Sequence, residues 1–281
     1  MIRIAVVAFP PAWLGLLRCS LGAALLWIVL LLGRRRLPPR HLMPWLIGIA
    51  FLNNAVPFTF FAWGERTVPS NIAAVLNATT PIWTLLLSAA VYRLRTSKLA
   101  LVGVLLSFAG VLMVVVKHHG RSPSGGSSGV PFGTIVIGVA ALSYAAATVV
   151  AKAKLKGFDP LGLAATQLTL AALLLLPVAL VGERPLAPSF AALAAVAVLG
   201  FAGSGIAYLL YYRLLEHVSA TQLSAVTYLL PVWGLFWGAI GGESIGWSAC
   251  VGVAVTVAGL LLLTLRGNST IPLPRVGTAD S

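Results

Sequence analysis

Hydrogen bonding from within apolar stretches is the chemistry this sequence carries. Asn53 and Asn54 stand one turn before Pro57, and Asn77, Thr80, Thr84 and Ser88 recur at helical spacing, which places them on one stripe of a helix. Ser143, Tyr144 and Thr148 mark a later apolar stretch, and Ser204, Tyr208, Tyr211 and Tyr212 the next but one. Thr227 answers Asn77 at an offset of 150 residues, as Ser204 answers Asn54 and Tyr208 answers Phe58. Polar groups are costly in hydrocarbon and turn toward the helix bundle or a water-filled path. Asn54, Asn77, Thr80, Tyr144, Tyr208, Tyr212 and Thr227 are therefore the candidate substrate-binding residues. The plainer alternative is an interhelical hydrogen bond, worth roughly 0.6 kcal/mol each. Pro57, Pro81 and Pro231 each remove a backbone donor within a stretch, so nearby carbonyls become available and the helix can bend. Trp83 and Trp233 lie deeper than Trp45 and Trp63, which suit an interfacial aromatic belt, and with the three prolines they are read as gating or packing residues.

Acid-base and metal chemistry lack their residues. No Asp, Glu or His lies securely inside an apolar stretch, since Glu65, Glu216 and Glu243 fall at ends, and Asp159 and the scattered histidines form no constellation. His118 and His119 sit in a loop without partner ligands. No catalytic residue, metal or cofactor is expected, and the chain does not read as an enzyme.

The elements that must position these groups are membrane spans. Of the 281 residues 59% are hydrophobic and 9% charged, with a mean hydropathy of +0.98, against about 25% charged in soluble domains. A span needs about 20 mainly apolar residues. Nine candidates lie at approximately 10–32, 44–63, 70–91, 98–116, 132–151, 160–181, 189–212, 219–240 and 246–265. None shows the period-two alternation of a barrel strand, so the fold class is an all-α polytopic membrane protein.

The net charge of +13 is carried by loops rather than by one face with interleaved aromatics, which argues against nucleic acid. If the loop with Arg34, Arg35, Arg36 and Arg40 is cytoplasmic, 13 of the 19 Lys and Arg fall on that side and 5 on the other, with Arg18 inside the first span. The positive-inside rule then puts the C-terminus in the cytoplasm. Arg18 is expected to snorkel to the outer interface past Trp13. Cys19 and Cys250 read as small hydrophobes, and Gly103-xxx-Ser107 and Gly252-xxx-Thr256 mark helices that approach closely and pack rather than line a cavity.

The chain also repeats itself. Pro81-Ile82-Trp83 returns as Pro231-Val232-Trp233, Phe9-Pro10-Pro11 as Phe158-Asp159-Pro160, and Val102-Gly103-Val104 with Ala109-Gly110 as Val251-Gly252-Val253 with Ala258-Gly259. The organisation is a first repeat at 1–116, a Gly- and Ser-rich connector at 117–131, a second repeat at 132–265 and a cytoplasmic tail at 266–281. The second repeat opens with the 132–151 span, whose counterpart is missing from the first except for a tail at 1–8. The expected architecture is five plus five helices with the first largely absent. Five is odd, so the two copies enter the bilayer in opposite directions, the arrangement of secondary transporters that bind solute between inverted repeats.

On these residues, and on Leu17-Arg18, Ala73-Ala74-Val75-Leu76, Val218-Ser219-Ala220-Thr221 and Gly242-Glu243, the chain resembles an EamA-type member of the drug/metabolite transporter superfamily. The resemblance covers nearly the whole chain. It implies a ten-helix inverted-repeat exporter with cytoplasmic termini, its cavity walled here by the spans beginning near 44, 70, 132, 189 and 219. Arg93 departs from the pattern, standing where many relatives carry the glutamate seen at Glu243.

The expectation is thus a multi-pass bacterial inner-membrane carrier, with a small solute and the lipid bilayer as partners and a homodimer as the protein partner considered. Its reading is export of small metabolites, amino acids or drugs by alternating access. Asn and Tyr would supply hydrogen bonds, and aromatic rings the stacking surface. The alternatives are a non-transporting membrane subunit that binds a partner through its helices and, less well supported by the residues, an intramembrane lipid-modifying enzyme.

Overall fold

A computed structural model describes residues 2–68, 70–92, 97–116, 130–230, 233 and 247–265. Among the described residues the chain is helical throughout, with no strand. Six helical stretches are long and apolar enough to cross a membrane: Pro11–Leu32, Arg40–Gly64, Ile72–Tyr92, Phe132–Lys154, Pro160–Val181 and Phe190–His217. Lys98–Met113 and Cys250–Leu263 are shorter apolar helices in the regions of two further expected spans. Of the remaining one, 219–240, residues 219–230 and 233 are described, with an α-helix at Ala220–Ser224 and a 3-10 turn at Ala225–Tyr228.

In chain order the α-helices are α1 (Ile2–Ala5), α2 (Pro11–Leu32), α3 (Met43–Ala50), α4 (Val56–Gly64), α5 (Ser70–Asn77), α6 (Thr80–Tyr92), α7 (Lys98–Val116), α8 (Val130–Lys154), α9 (Pro160–Val181), α10 (Phe190–Gly200), α11 (Ala207–His217), α12 (Ala220–Ser224) and α13 (Trp247–Leu265). The starts of several are set locally. Asp159 caps α9 by accepting from the backbone N–H groups of Leu161 and Gly162. Ser189 caps α10, and Ser219 with Gln222 forms a reciprocal capping box on α12.

The long helices are interrupted at corresponding places. α3 passes into α4 through a π-helical turn at Phe51–Ala55, and α10 passes into α11 through another at Phe201–Ile206. The first has a covalent cause. Pro57 has no N–H to give the Asn53 carbonyl four residues back, so that carbonyl is free to accept from elsewhere. It accepts from the Tyr208 hydroxyl at 2.6 Å.

The expected continuous helix over 70–91 is instead divided at Ala78–Thr79, between α5 and α6. Pro81 again withholds the donor, here from the Asn77 carbonyl, and the Thr80 hydroxyl replaces it at 2.7 Å. The stripe therefore bends where it was expected to run straight. Hydroxyls around the break bond backwards, Thr79 to the Leu76 carbonyl at 2.6 Å and Thr84 to the Thr80 carbonyl at 2.8 Å.

Packing divides into two tight helix pairs and a polar middle. α2 lies against α9 and contributes Leu26 and Leu30 to the largest apolar cluster, with Leu168 and Leu175 opposite. α7 lies against α13 with backbones nearly touching: a Cβ built on Gly103 would sit 2.8 Å from the Gly259 carbonyl oxygen, and one on Gly110 would sit 2.5 Å from the Thr256 amide nitrogen. Ser107 Oγ donates to the Thr256 carbonyl across this pair at 3.2 Å. Small residues act here as the sequence indicated, by letting van der Waals contact replace the hydrophobic drive that lipid does not supply.

Candidate functional site

A cavity of about 400 Å³ opens between α8, α11 and the turns that follow α5 and α12. From the first half Asn53, Asn77 and Thr80 line it, from α8 Tyr144 and Thr148, and from the second half Tyr208, Tyr211, Ser224 and Thr227, with Leu210, Leu214, Leu223, Ala207 and Val226 as apolar wall. Each polar side chain arrives by a local cause. The break before Pro81 turns Asn77 and Thr80 to the cavity, and the 3-10 turn at Ala225–Tyr228 does the same for Thr227, whose hydroxyl donates to the Ser224 carbonyl at 2.9 Å. Tyr211 reaches across to Thr148 at 3.4 Å and meets the Tyr208 ring at 5.8 Å between centroids. Tyr144 packs on Phe61 at 6.1 Å.

Five of the seven candidate binding residues, Asn77, Thr80, Tyr144, Tyr208 and Thr227, come together at this cavity. Asn54 and Tyr212 do not line it. Both are buried behind it, joined through Gln167: the Gln167 amide donates to Asn54 Oδ1, and the Tyr212 hydroxyl donates to Gln167 Oε1. Gln167 is not among the candidate residues that the sequence singles out. Its signal was a lone amide in the 160–181 stretch, which otherwise offers only threonine as a polar side chain. Asn53, the neighbour of the chosen Asn54, is the one at the cavity, because rotation about the helix axis through the π turn decides which of two adjacent residues faces inward.

Pro57 and Pro81 are buried in the first turns of α4 and α6. Pro231 lies outside the described residues, as do Arg93, Glu243, His118 and His119. Trp83 and Trp233 are 40% and 55% exposed and do not line the cavity. Trp45 stands under Lys154, with the ammonium 4.7 Å from the ring centroid, and Trp63 meets Phe132 at 5.4 Å, both near span ends as expected of interfacial aromatics.

Arg18 corrects the sequence reading. It does not snorkel: it is 9% exposed, and its guanidinium carbon lies 3.8 Å from the centroid of the Phe58 ring. Gly15 and Gly22 bring α2 close to α4, α9 and the second π turn, and this contact closes over the arginine before it can reach an interface.

At the span ends, Arg66 and Glu183 form an ion pair at 2.9 Å, and Arg35 stands 3.8 Å from Asp159. The Arg66 hydrogen bond and charge hold the Glu183 carboxyl below its ordinary range. Among the described residues no three His, Cys, Asp or Glu side chains converge to hold a metal ion.

Apolar helices of membrane length around a cavity edged by amide, hydroxyl and phenol groups define a polytopic membrane transporter. The chain belongs to the EamA-like transporter family, whose model matches residues 1–116 and 131–265. It is 32% identical over 270 residues to the inner membrane transporter YedA of Escherichia coli strain K12, covering 94% of this chain and 85% of that protein. It is 25% identical to a transporter of Archaeoglobus fulgidus, covering 85% of this chain and 83% of the relative. It is 24% identical to the transporter YoaV of Bacillus subtilis strain 168, covering 84% of this chain and 80% of that one. A solved structure titled "Crystal structure of protein" shares the fold at a TM-score of 0.75 and 20% identity, covering 95% of this chain and 91% of the other.

Proposed function

We propose that this transporter is an inner-membrane carrier that exports small amphipathic solutes, such as metabolites, amino acids or drugs, by alternating access between two inverted five-helix units. The observation that carries the reading is the cavity, to which both halves contribute polar groups at matching positions, Asn77 from one and Thr227 from the other. Further support comes from the two π turns, which begin 150 residues apart, and from pairs of corresponding helices, α2 with α9 and α7 with α13. The proposed units are 1–116 and 132–265, joined by 117–131, with 266–281 as a cytoplasmic tail. The inner membrane is the location in the printed name of the Escherichia coli relative. The excess of Lys and Arg on one side supports a cytoplasmic C-terminus.

In this reading solute enters the cavity from one side and is held by Asn53, Asn77, Thr80 and Thr227 against the rings of Tyr144, Tyr208 and Tyr211. It leaves when the two units rock about the cavity. The bends at Pro57 and Pro81 give hinge points in the walls that would move, since helix continuity is already broken there. Asn54 and Tyr212 act from behind, through Gln167, holding the Phe51–Ala55 turn, α9 and α11 together.

The test is export of a panel of amino acids and dyes from cells making the protein, the Asn77→Ala variant or the Trp83→Ala variant. Loss of one solute hydrogen bond should slow flux roughly 2- to 12-fold in Asn77→Ala, while the exposed Trp83→Ala should export normally. Unchanged flux in both would end the site assignment. No flux with the unsubstituted protein would favour the non-transporting subunit.

A further inference from the structure

We infer that the cavity selects small organic anions, with Arg18 as the buried counter-charge behind its wall. This rests on the carrier reading and names its substrate class. Arg18 is the feature the transport reading leaves unused. It lies within a membrane span, 9% exposed, with its cationic head on the face of Phe58. Phe58 in turn meets Tyr208 at 6.4 Å between centroids, so the guanidinium carbon lies within about 10 Å of a ring that lines the cavity.

A cation buried in a membrane protein ordinarily pairs with a carboxylate or with backbone carbonyls. Among the described residues Arg18 has no carboxylate partner, since the two ion pairs, Arg35 with Asp159 and Arg66 with Glu183, are both at span ends. Its Nε–H has no acceptor. Other buried donors of these helices share the deficit. Trp13 Nε1, Asn53 Nδ2 and Asn54 Nδ2 are buried donors without acceptors, and Asn53 lines the cavity itself. A ring face satisfies part of the charge, but among the described residues no anion balances the rest.

A carboxylate in the cavity supplies what is lacking, a charge opposite to Arg18. For a solute charge held against the Tyr208 ring, about 10 Å serves as the scale of the separation, and at an effective dielectric constant of about 20 one buried charge then favours an anion over its neutral isostere roughly tenfold, with a cation disfavoured by the same factor. The tyrosine rings and a volume of about 400 Å³ suit a solute with one aromatic ring beside its carboxylate.

The experiment uses the full-length protein in detergent and three probes of one shape: phenylacetate, phenylacetamide and phenethylamine. Binding should rank in that order, with phenylacetate roughly tenfold tighter than the amide. Arg18→Lys should keep the ranking, and Arg18→Gln should abolish it. Gly203→Asp is a second route that retains the arginine. A Cβ there would lie 3.9 Å from Arg18 Nη2 with no closer neighbour, so the new carboxylate should neutralise Arg18 in place and remove the anion preference. Equal binding of all three probes, no binding of any, or a ranking that survives both Arg18→Gln and Gly203→Asp overturns the inference. Arg18-dependent phenylacetate binding by a protein that moves no solute would leave the anion site standing and reject the carrier reading instead.

Discussion

Phe58 and Tyr208 stand 150 positions apart in the chain and meet edge to face, their ring centroids 6.4 Å apart and their planes at 68°. The contact joins the two spans that carry π turns, and the Tyr208 hydroxyl completes it by bonding the Asn53 carbonyl that Pro57 leaves without a donor. A proline in one span and a tyrosine in the other thus solve one backbone problem together.

Tyr208→Phe should therefore strand a buried carbonyl and lower stability by about 1–3 kcal/mol. Adding Pro57→Ala supplies an N–H four residues after Asn53, so the double variant should regain part of the loss. Thermal unfolding in detergent checks both, and a double variant no more stable than Tyr208→Phe alone would refute the account.

The α7–α13 pair should tolerate no added methyl at its crossing. At Gly110 a Cβ would fall 2.4 Å from Thr256 Oγ1 and 2.6 Å from the Gly252 carbonyl oxygen, so Gly110→Ala should cost about 1–3 kcal/mol through forced separation of the backbones. Gly138→Ala, where nothing lies within 4 Å, should be neutral or raise the midpoint through helix propensity, by up to about 1 kcal/mol. A comparable loss in both would show that the close approach is not what matters.

Gln167 ties Asn54 to Tyr212 in a fully buried network. Gln167→Leu should destabilise by about 1–3 kcal/mol by leaving both partners unsatisfied, and Tyr212→Phe by about 1 kcal/mol. Because they share a bond, the double variant should lose less than the sum. Additive losses in unfolding midpoints would argue that the residues act separately.

The Arg66–Glu183 pair gives a pH dependence of definite sign. Arg66 lowers the Glu183 pKa from its ordinary 4.5, so the pair's contribution is complete above that value and is lost as the pH falls through the lowered one. The protein should therefore unfold at a higher temperature than Glu183→Gln at neutral pH and converge with it in acid. The pair is exposed, so the difference should also shrink with added salt. A gap that widens on acidification would contradict the sign.

The membrane character, the places of six of the nine expected spans and the close pair of small-residue helices were legible because each depends on local properties: apolar length, flanking charge, and the absence of side-chain bulk at Gly103, Gly110, Gly252 and Gly259. Pro57 and Pro81 announced free carbonyls for the same reason, since proline lacks its N–H wherever it stands. Asn77 and Thr227 were legible through their common offset from a repeated motif.

What only the tertiary structure decided is which way each side chain faces. Successive helical residues point about 100° apart, so one extra residue in a π turn turns Asn53 to the cavity and leaves Asn54 to Gln167. The burial of Arg18 depended likewise on Gly15 and Gly22 drawing neighbouring helices over it. Hydrophobic length is written along the chain and can be read there, whereas facing is settled by partners far away in sequence, which is why the spans were evident from the residues and the lining of the cavity was not.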